Sequence, residues 1–465
     1  MTIRLTGHLL CLAAALAAAP AAPAAGDPGG GAGAQAPGAA AEGPGGPRRA
    51  DLAKFREKFF EADRSYAPAA RAEAGTRLAR LEQGADRMEA AAFELEVARI
   101  VALADNGHTV SFPGPRSRRY DRIPLRFVPF GERFFVLRAG APLADLLGAE
   151  LAGIDGRPMQ DLLAAARSLM GGVPSHRDRN AGYLFESPEQ LFALGLAEAR
   201  GAAVYRFVLP GGTHAERRIA AEPADPGRPR APADRWLFPD RLDGEGESWR
   251  ALLAPGKAPP ALREPDQPFR WRAAPEIDAV VVEMRQNDGD DAHPIDRFLR
   301  DATRAIKEAH PKNLVLDMRL NGGGDLNTTR DFAESLPGLV PGRIFALTSP
   351  WTFSAAISTV GYLKQKAPAR VTIVGETVGD RLVFFSEGRP VTLTNTGIVV
   401  LPATERHDYR NGCRDFSDCH GNVVRHPIAV PTLDPEIAAP WTIEAYRSGR
   451  DPAMEAVAAA LAPKS

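Results

Sequence analysis

The sequence predicts an α/β protein in which a largely parallel, helix-covered sheet forms the C-terminal part, behind a β-rich module and a small helical N-terminal region. Three observations carry this. After about residue 268, short apolar runs alternate with stretches of helical periodicity. Between residues 120 and 222, strand and hairpin signals dominate. Nearer the start, Leu52, Phe55 and Phe59, and then Phe93, Val97, Ile100 and Val101, recur at helical spacing. A chain of 465 residues exceeds what one core organises, so several domains are expected. Its 57 Lys+Arg against 58 Asp+Glu leave a net charge of -1, which gives no field favouring nucleic acid or an anionic membrane.

Residues 1–24 read as an export signal. Arg4 supplies the positive end, Leu9 to Leu16 the apolar stretch, and Ala22-Pro23-Ala24 the small-residue cleavage site. The apolar run is shorter than the roughly 20 residues a spanning helix needs, and Cys11 follows Leu10 where a lipoprotein site would have a small residue. The expectation is a periplasmic or secreted protein with no transmembrane anchor after cleavage. Residues 25–48 are Gly, Ala and Pro with little to bury, hence a disordered tether. Residues 49–113 form the helical region, which ends in Ala104-Asp105-Asn106-Gly107-His108-Thr109.

In the 120–222 module, strands are expected at Leu125 to Val128, Arg133 to Leu137, within Ala149 to Pro158, and at Ala203 to Leu209 before a Gly211-Gly212 turn. Its segment GAELAGIDGRPMQDLLAA resembles the strand, glycine turn and helix of PDZ domains, with residues from about 163 to 201 as a helical insertion. Residues 223–268, rich in Pro, Asp and Arg, read as a linker or surface excursion. In the final unit, 269–465, strands are expected at Ile277 to Met284, Leu314 to Met318, Ile344 to Leu347 and Arg370 to Val374. Helices are expected at Ile295 to His310 and Ala355 to Lys364.

Two loops follow strands of that last unit, where such sheets carry their sites. Asp317-Met318-Arg319-Leu320-Asn321-Gly322-Gly323-Gly324-Asp325 can expose successive N–H groups, as an oxyanion hole requires, although a glycine-rich turn is also simply a turn. Thr348-Ser349-Pro350-Trp351-Thr352-Phe353-Ser354-Ala355 sets Ser354 at a helix N-terminus, in its positive field and beside the Ala355 N–H; the alternative is a serine that merely caps the helix. Cys413 and Cys419 remain after signal removal. In an exported chain they point to a disulfide, with two free thiols or a metal pair as alternatives. No zinc motif is present, and no metal is expected.

Together, LVLDMRLNGGGD, LTSPWTFSAA, VTIVGETVG, LTNTGIVVLP and AYRSGRDPAMEAVAAAL resemble the tail-specific, or C-terminal processing, serine peptidases. The resemblance implies a crotonase-like (ClpP-like) catalytic domain with Ser354 as nucleophile, Gly323 and Ala355 as oxyanion donors, and no cofactor. It also implies peptides or unfolded exported proteins as substrates. One departure affects mechanism. The dyad lysine expected after Gly379 is replaced by Asp380-Arg381, and arginine stays protonated. Lys364 and Lys366 read as a solvated helix face. LADNGHTVSF is similar to the Asp-Gly-His-Thr segment of the tricorn-core branch, which implies His108 as general base, since imidazole with its ordinary pKa of about 6.5 suits that task. For an orienting group the candidates are the acids Glu405 and Asp418, with Asp415, His420 and His426 nearby, and the alternative is water or a backbone carbonyl. The other reading is a non-catalytic peptide-binding or scaffold protein on a degenerate peptidase fold. Neither reading fixes an oligomeric state.

Overall fold

The computed structural model describes residues 46–225 and 227–463. The expected signal peptide lies outside the described residues, as does the tether up to residue 45. The helical region begins inside the stretch expected as tether: a helix runs Pro47–Phe55, with proline in its first turn where its missing N–H costs nothing. Arg48 explains the early start, because its guanidinium donates to Ala85 O at 3.0 Å and lies 5.3 Å from the Phe93 ring centroid. Helices Pro68–Gly84 and Ala90–Ala102 follow. Their apolar faces enclose Phe55, Phe59, Phe93 and Val97 together with Leu393, Ile398 and Val400 from far along the chain. Asp51, itself buried, accepts from the backbone N–H groups of Asn395 and Thr396. The helical region is thereby fastened to the C-terminal unit.

The β-rich module is a seven-stranded antiparallel sheet whose main path runs Leu125–Phe130, Arg133–Ala139, Glu150–Ile154, Ala202–Val208 and His214–Ala220. The expected strands are present, and the Gly211-Gly212 turn, with both residues at positive φ, closes a hairpin. Helices Met159–Arg167, Pro174–Phe185 and Pro188–Ala193 fill the interval expected as helical insertion. Residues 223–268 do more than link. Trp236, Leu237, Leu253 and Leu262 are buried with Val128, Phe135 and Leu137 of the module, and Arg250–Ala251 pairs with the strand Arg133–Ala139. The proline-rich composition concealed these widely spaced apolar anchors.

In the last unit a six-stranded sheet has the order Ile437–Ala438, Val371–Gly375, Ile344–Thr348, Asn313–Asp317, Ala279–Met284, Phe269–Ala274. The first five are parallel and the last is antiparallel. The three strands Ala279–Met284, Asn313–Asp317 and Ile344–Thr348 are buried throughout, as the continuous apolar runs require of a sheet covered on both faces. Helix Ile295–Ala309 stops where His310 turns left-handed at φ 45°, and helix Ala355–Lys366 lies wholly within the core over its first nine residues. Three loops leave the carboxyl ends of adjacent parallel strands side by side: 318–325, 349–354 and 376–381. No helix among the described residues is long and apolar enough to cross a membrane.

Cys413 and Cys419 form the expected disulfide, with Cα atoms 6.0 Å apart. Both are buried in the main core, so the bridge anchors a polar surface loop to it. Replacing both by serine is expected to lower stability by about 2 kcal/mol, the loop-closure estimate for so short a ring. Thermal denaturation of the reduced and oxidised wild type and of the double variant measures this, and indistinguishable melting curves would refute it.

Candidate active site

The glycine loop and the serine loop are stitched together by main-chain and side-chain bonds. Phe353 N–H donates to Asn321 O at 3.0 Å, Thr352 Oγ1 to Met318 O at 2.9 Å and Ser349 Oγ to Arg319 O at 2.5 Å. Beneath them lies a buried polar network. Asn321 Nδ2 donates to Asn287 Oδ1 at 2.9 Å, and the two protons of Asn287 Nδ2 are shared among Thr329 Oγ1, Thr359 Oγ1 and the Ala355 carbonyl, all within hydrogen-bond reach. Arg319 is locked by Asp317 at 2.6 Å and Asp451 at 2.7 Å, both buried. A fully satisfied network of this kind holds loop geometry rigidly.

Ser354 sits at the end of this scaffold with φ 55° and ψ -128°, a conformation a non-glycine residue adopts only under constraint. Its side chain makes no capping hydrogen bond, so the reading of Ser354 as a plain helix cap lacks the bond it needs. Among the described residues the Ala355 N–H meets no backbone or side-chain acceptor, and it points from the helix N-terminus beside Ser354. Gly323 presses against the serine: at φ +106°, a Cβ there would lie 2.6 Å from Ser354 Cβ and 3.1 Å from the Ala355 nitrogen. The Gly323 N–H, however, donates to Asn321 Oδ1 at 2.8 Å. As an oxyanion donor it has first to exchange that partner.

His108 arrives from the other side, on the loop after helix Ala90–Ala102. Asn106 bonds both the N–H and the carbonyl of Phe385, and Thr109 Oγ1 donates to the buried Asp63. The imidazole is 8% exposed and lies flat between Phe353, whose ring centroid is 4.3 Å away, and Phe384, at 4.8 Å. Its Nδ1 is 3.2 Å from Asp380 Oδ2. Both atoms nonetheless lack an aligned hydrogen bond, as does His108 Nε2. The distance is that of an ion-pair contact and the angle is not that of a hydrogen bond. No hydrogen bond joins His108 to Ser354; the two are connected through Phe353, the residue before the serine.

The carboxylate at His108 is therefore Asp380, in the turn directly after Gly379. Its N–H donor is Arg381 N, at 2.8 Å from Oδ1. The acids expected from sequence are engaged elsewhere: Glu405 accepts from His420 Nδ1 at 2.7 Å, and Asp418 pairs with Arg64 at 3.3 Å and Arg406 at 3.2 Å. Neither makes a hydrogen bond or ion pair with His108 among the described residues. In the sequence Asp380 stands where the resemblance predicts a lysine, and no local signal ties it to the distant His108. Lys364 donates to Val371 O at 2.7 Å, at the opposite end of the strand from the site, and Lys366 is exposed.

A second imidazole, His176 of the module's helix Pro174–Phe185, stacks on the far face of Phe353 with centroids 4.7 Å apart. Arg179 donates to its Nδ1 at 2.8 Å. Burial, and then the charge of Arg179, hold this ring well below the ordinary histidine range, so it is neutral in the folded protein. The unfolded chain takes up that proton near its ordinary pKa of about 6.5. The stabilising contribution is thus intact above that pH and is lost as pH falls below it. His176→Gln is expected to flatten the acid-side decline of melting temperature between about pH 6.5 and 5; an unchanged slope would show that other groups govern it.

A cavity of about 300 Å³ opens between the module and the sheet, lined among others by Val128, Phe130, Arg179, Trp351 and Trp441. Neither Ser354 nor His108 lines it, although Trp351 belongs to the serine loop. No family model matches the chain, and no curated protein sequence matches it significantly. Solved structures do. It superposes on mature CPAF with a TM-score of 0.53 at 15% identity, over 89% of this chain and 96% of that one. Mature CPAF complexed with lactacystin gives 0.52 at 14% identity, over 89% and 98%. The photosystem II D1 C-terminal processing protease is also similar, with a TM-score of 0.35 at 13% identity, over 89% and 96%. These superpositions show that the chain shares the mixed α/β fold of mature CPAF.

Proposed function

We propose that this protein is a serine-type peptidase that hydrolyses peptide bonds of exported or unfolded proteins, with Ser354 as nucleophile, His108 as general base and Asp380 as the acid that orients it. The observation that carries the reading is the constrained Ser354 at a helix N-terminus, uncapped and beside the free Ala355 N–H. The sequence motifs and the shared fold support it. In the proposed reaction Ser354 Oγ attacks the substrate carbonyl and its proton passes to His108 Nε2. The oxyanion is held by the Ala355 N–H and by Gly323 once it leaves Asn321. Collapse expels the amine, which takes the proton from His108, and a water activated by the same imidazole frees the acyl group. The cavity beside Trp351 is the proposed seat for a substrate side chain. The module, read as PDZ-like, would receive an extended peptide by adding it to a strand edge. The proposed location is periplasmic or secreted.

The second reading, a non-catalytic peptide-binding or scaffold protein, is favoured by the Gly323 N–H already bonded to Asn321 and by the absent Ser354–His108 hydrogen bond. Incubation with an unstructured polypeptide separates the two. The peptidase reading predicts new termini with wild type and none with Ser354→Ala; binding without cleavage by both proteins would establish the alternative.

A further inference from the structure

His108 is the third ring of a stacked column that continues past the active site. Phe384 lies on His407 at 4.9 Å between centroids, and His407 on His420 at 5.4 Å. At the far end of that column Glu387, His407 and His420 converge, one donor atom from each lying within 4.8 Å of the others. No step of the proposed reaction uses these residues.

Three details set the group apart from an ordinary hydrogen-bonded cluster. First, His407 is 2% exposed, yet its Nε2 has no hydrogen-bond partner. It stands 3.2 Å from Glu387 Oε1 without hydrogen-bond alignment. About 3.3 Å is the spacing of two donors that each bind one tetrahedral ion at about 2.0–2.1 Å. Second, each imidazole is held at its other nitrogen. His407 Nδ1 meets Tyr409 Oη at 2.9 Å, which in turn meets Ser358 Oγ at 2.7 Å, and His420 Nδ1 donates to Glu405 at 2.7 Å. The Glu405 carboxylate can only accept, which leaves Nε2 of His420 as a ligand atom, and Tyr409 Oη can accept from His407 Nδ1 while donating to Ser358 Oγ, which does the same for His407, as in carboxylate–histidine–metal arrangements. Third, Glu387 is held at φ 68°, a conformation glutamate rarely adopts, directly after the strand Val383–Ser386.

We propose that Glu387, His407 and His420 form a binding site for one divalent transition-metal ion. Two imidazoles and a carboxylate suit zinc best among the common ions, with the fourth position open to water. The ion would join the end of strand Val383–Ser386, the paired strand Glu405–Asp408 and the segment just beyond the Cys413–Cys419 disulfide. It thereby stiffens the element that carries Phe384, one wall of the His108 pocket.

The test uses the whole protein, stripped with a chelator and titrated with Zn²⁺ alone against a chromophoric competitor, with melting temperature followed in parallel. One equivalent of zinc should bind and raise the melting temperature, and Co²⁺ in its place should give the visible bands of a low-coordinate site. His420→Gln and Glu387→Gln, at partly exposed positions, should weaken binding at least 100-fold, and Glu405→Gln by about 10–100-fold. His293→Gln, on a distant helix approach, should leave affinity unchanged. His407→Ala adds to the series if it folds; the His420 and Glu387 variants suffice without it. Failure of wild type to bind a stoichiometric ion, or equal affinity in His420→Gln and Glu387→Gln, overturns the proposal. None of these readouts depends on peptidase activity.

Discussion

Replacing His108 by phenylalanine is expected to lower peptide hydrolysis by about 10²–10⁴-fold, the usual contribution of a positioned general base. The substitution is chosen because of how the ring sits. Stacked between Phe353 and Phe384 and 8% exposed, His108 contributes packing as well as chemistry. Each such aromatic contact is worth about 0.5–1.5 kcal/mol. His108→Ala would therefore lose activity and stability together, and could not separate them. Phenylalanine keeps both stacking partners and removes only the ionisable nitrogens, so the melting temperature should fall less than in His108→Ala while turnover is lost equally in both. Steady-state hydrolysis of a peptide substrate and thermal denaturation of the three proteins check this. Near-wild-type turnover in His108→Phe would assign the base to another group.

A second large effect is expected at Gly323, where the same site is probed through the backbone. Gly323→Ala places a methyl group 2.6 Å from Ser354 Cβ at a φ of +106° that alanine adopts only under strain. Either the serine loop moves or the glycine loop does, and both carry the proposed reacting groups. A displacement that removes one oxyanion donor costs about 10²–10³ in turnover, and the strained backbone costs roughly 1–3 kcal/mol of stability. Gly322→Ala, where a Cβ meets open space, is the matched control and should behave almost as wild type. Equal activity in the two variants would mean that the approach of Gly323 to Ser354 has no part in catalysis.

Much of the positioning apparatus was legible from residue order. The strands before the glycine and serine loops, and the helix after Ser354, follow from buried-type apolar runs and helical spacing, which local chemistry dictates. What stayed hidden is long-range. Asp380 and Phe384 meet His108 from far along the chain, pairing of the strands Val383–Ser386 and Glu405–Asp408 sets His407 beside Phe384, and the bridge between Arg406 and Cys419 brings up His420. These strands are four residues each and their alternation is weak, so nothing local announces which side chains they bring together. Segment 223–268 misled for a related reason: its proline and charged residues dominate the composition, while Trp236, Leu253 and Leu262 reach the core singly.

The central claim is that Ser354 is an activated nucleophile, and covalent labelling tests it most directly. Wild type treated with a fluorophosphonate probe, digested and read by mass spectrometry should carry the adduct on Ser354. The rate of labelling should fall sharply in His108→Phe, and labelling should vanish in Ser354→Ala. A wild-type protein that stays unlabelled under conditions that modify a control serine hydrolase, or a label at another serine that persists in Ser354→Ala, would contradict the account.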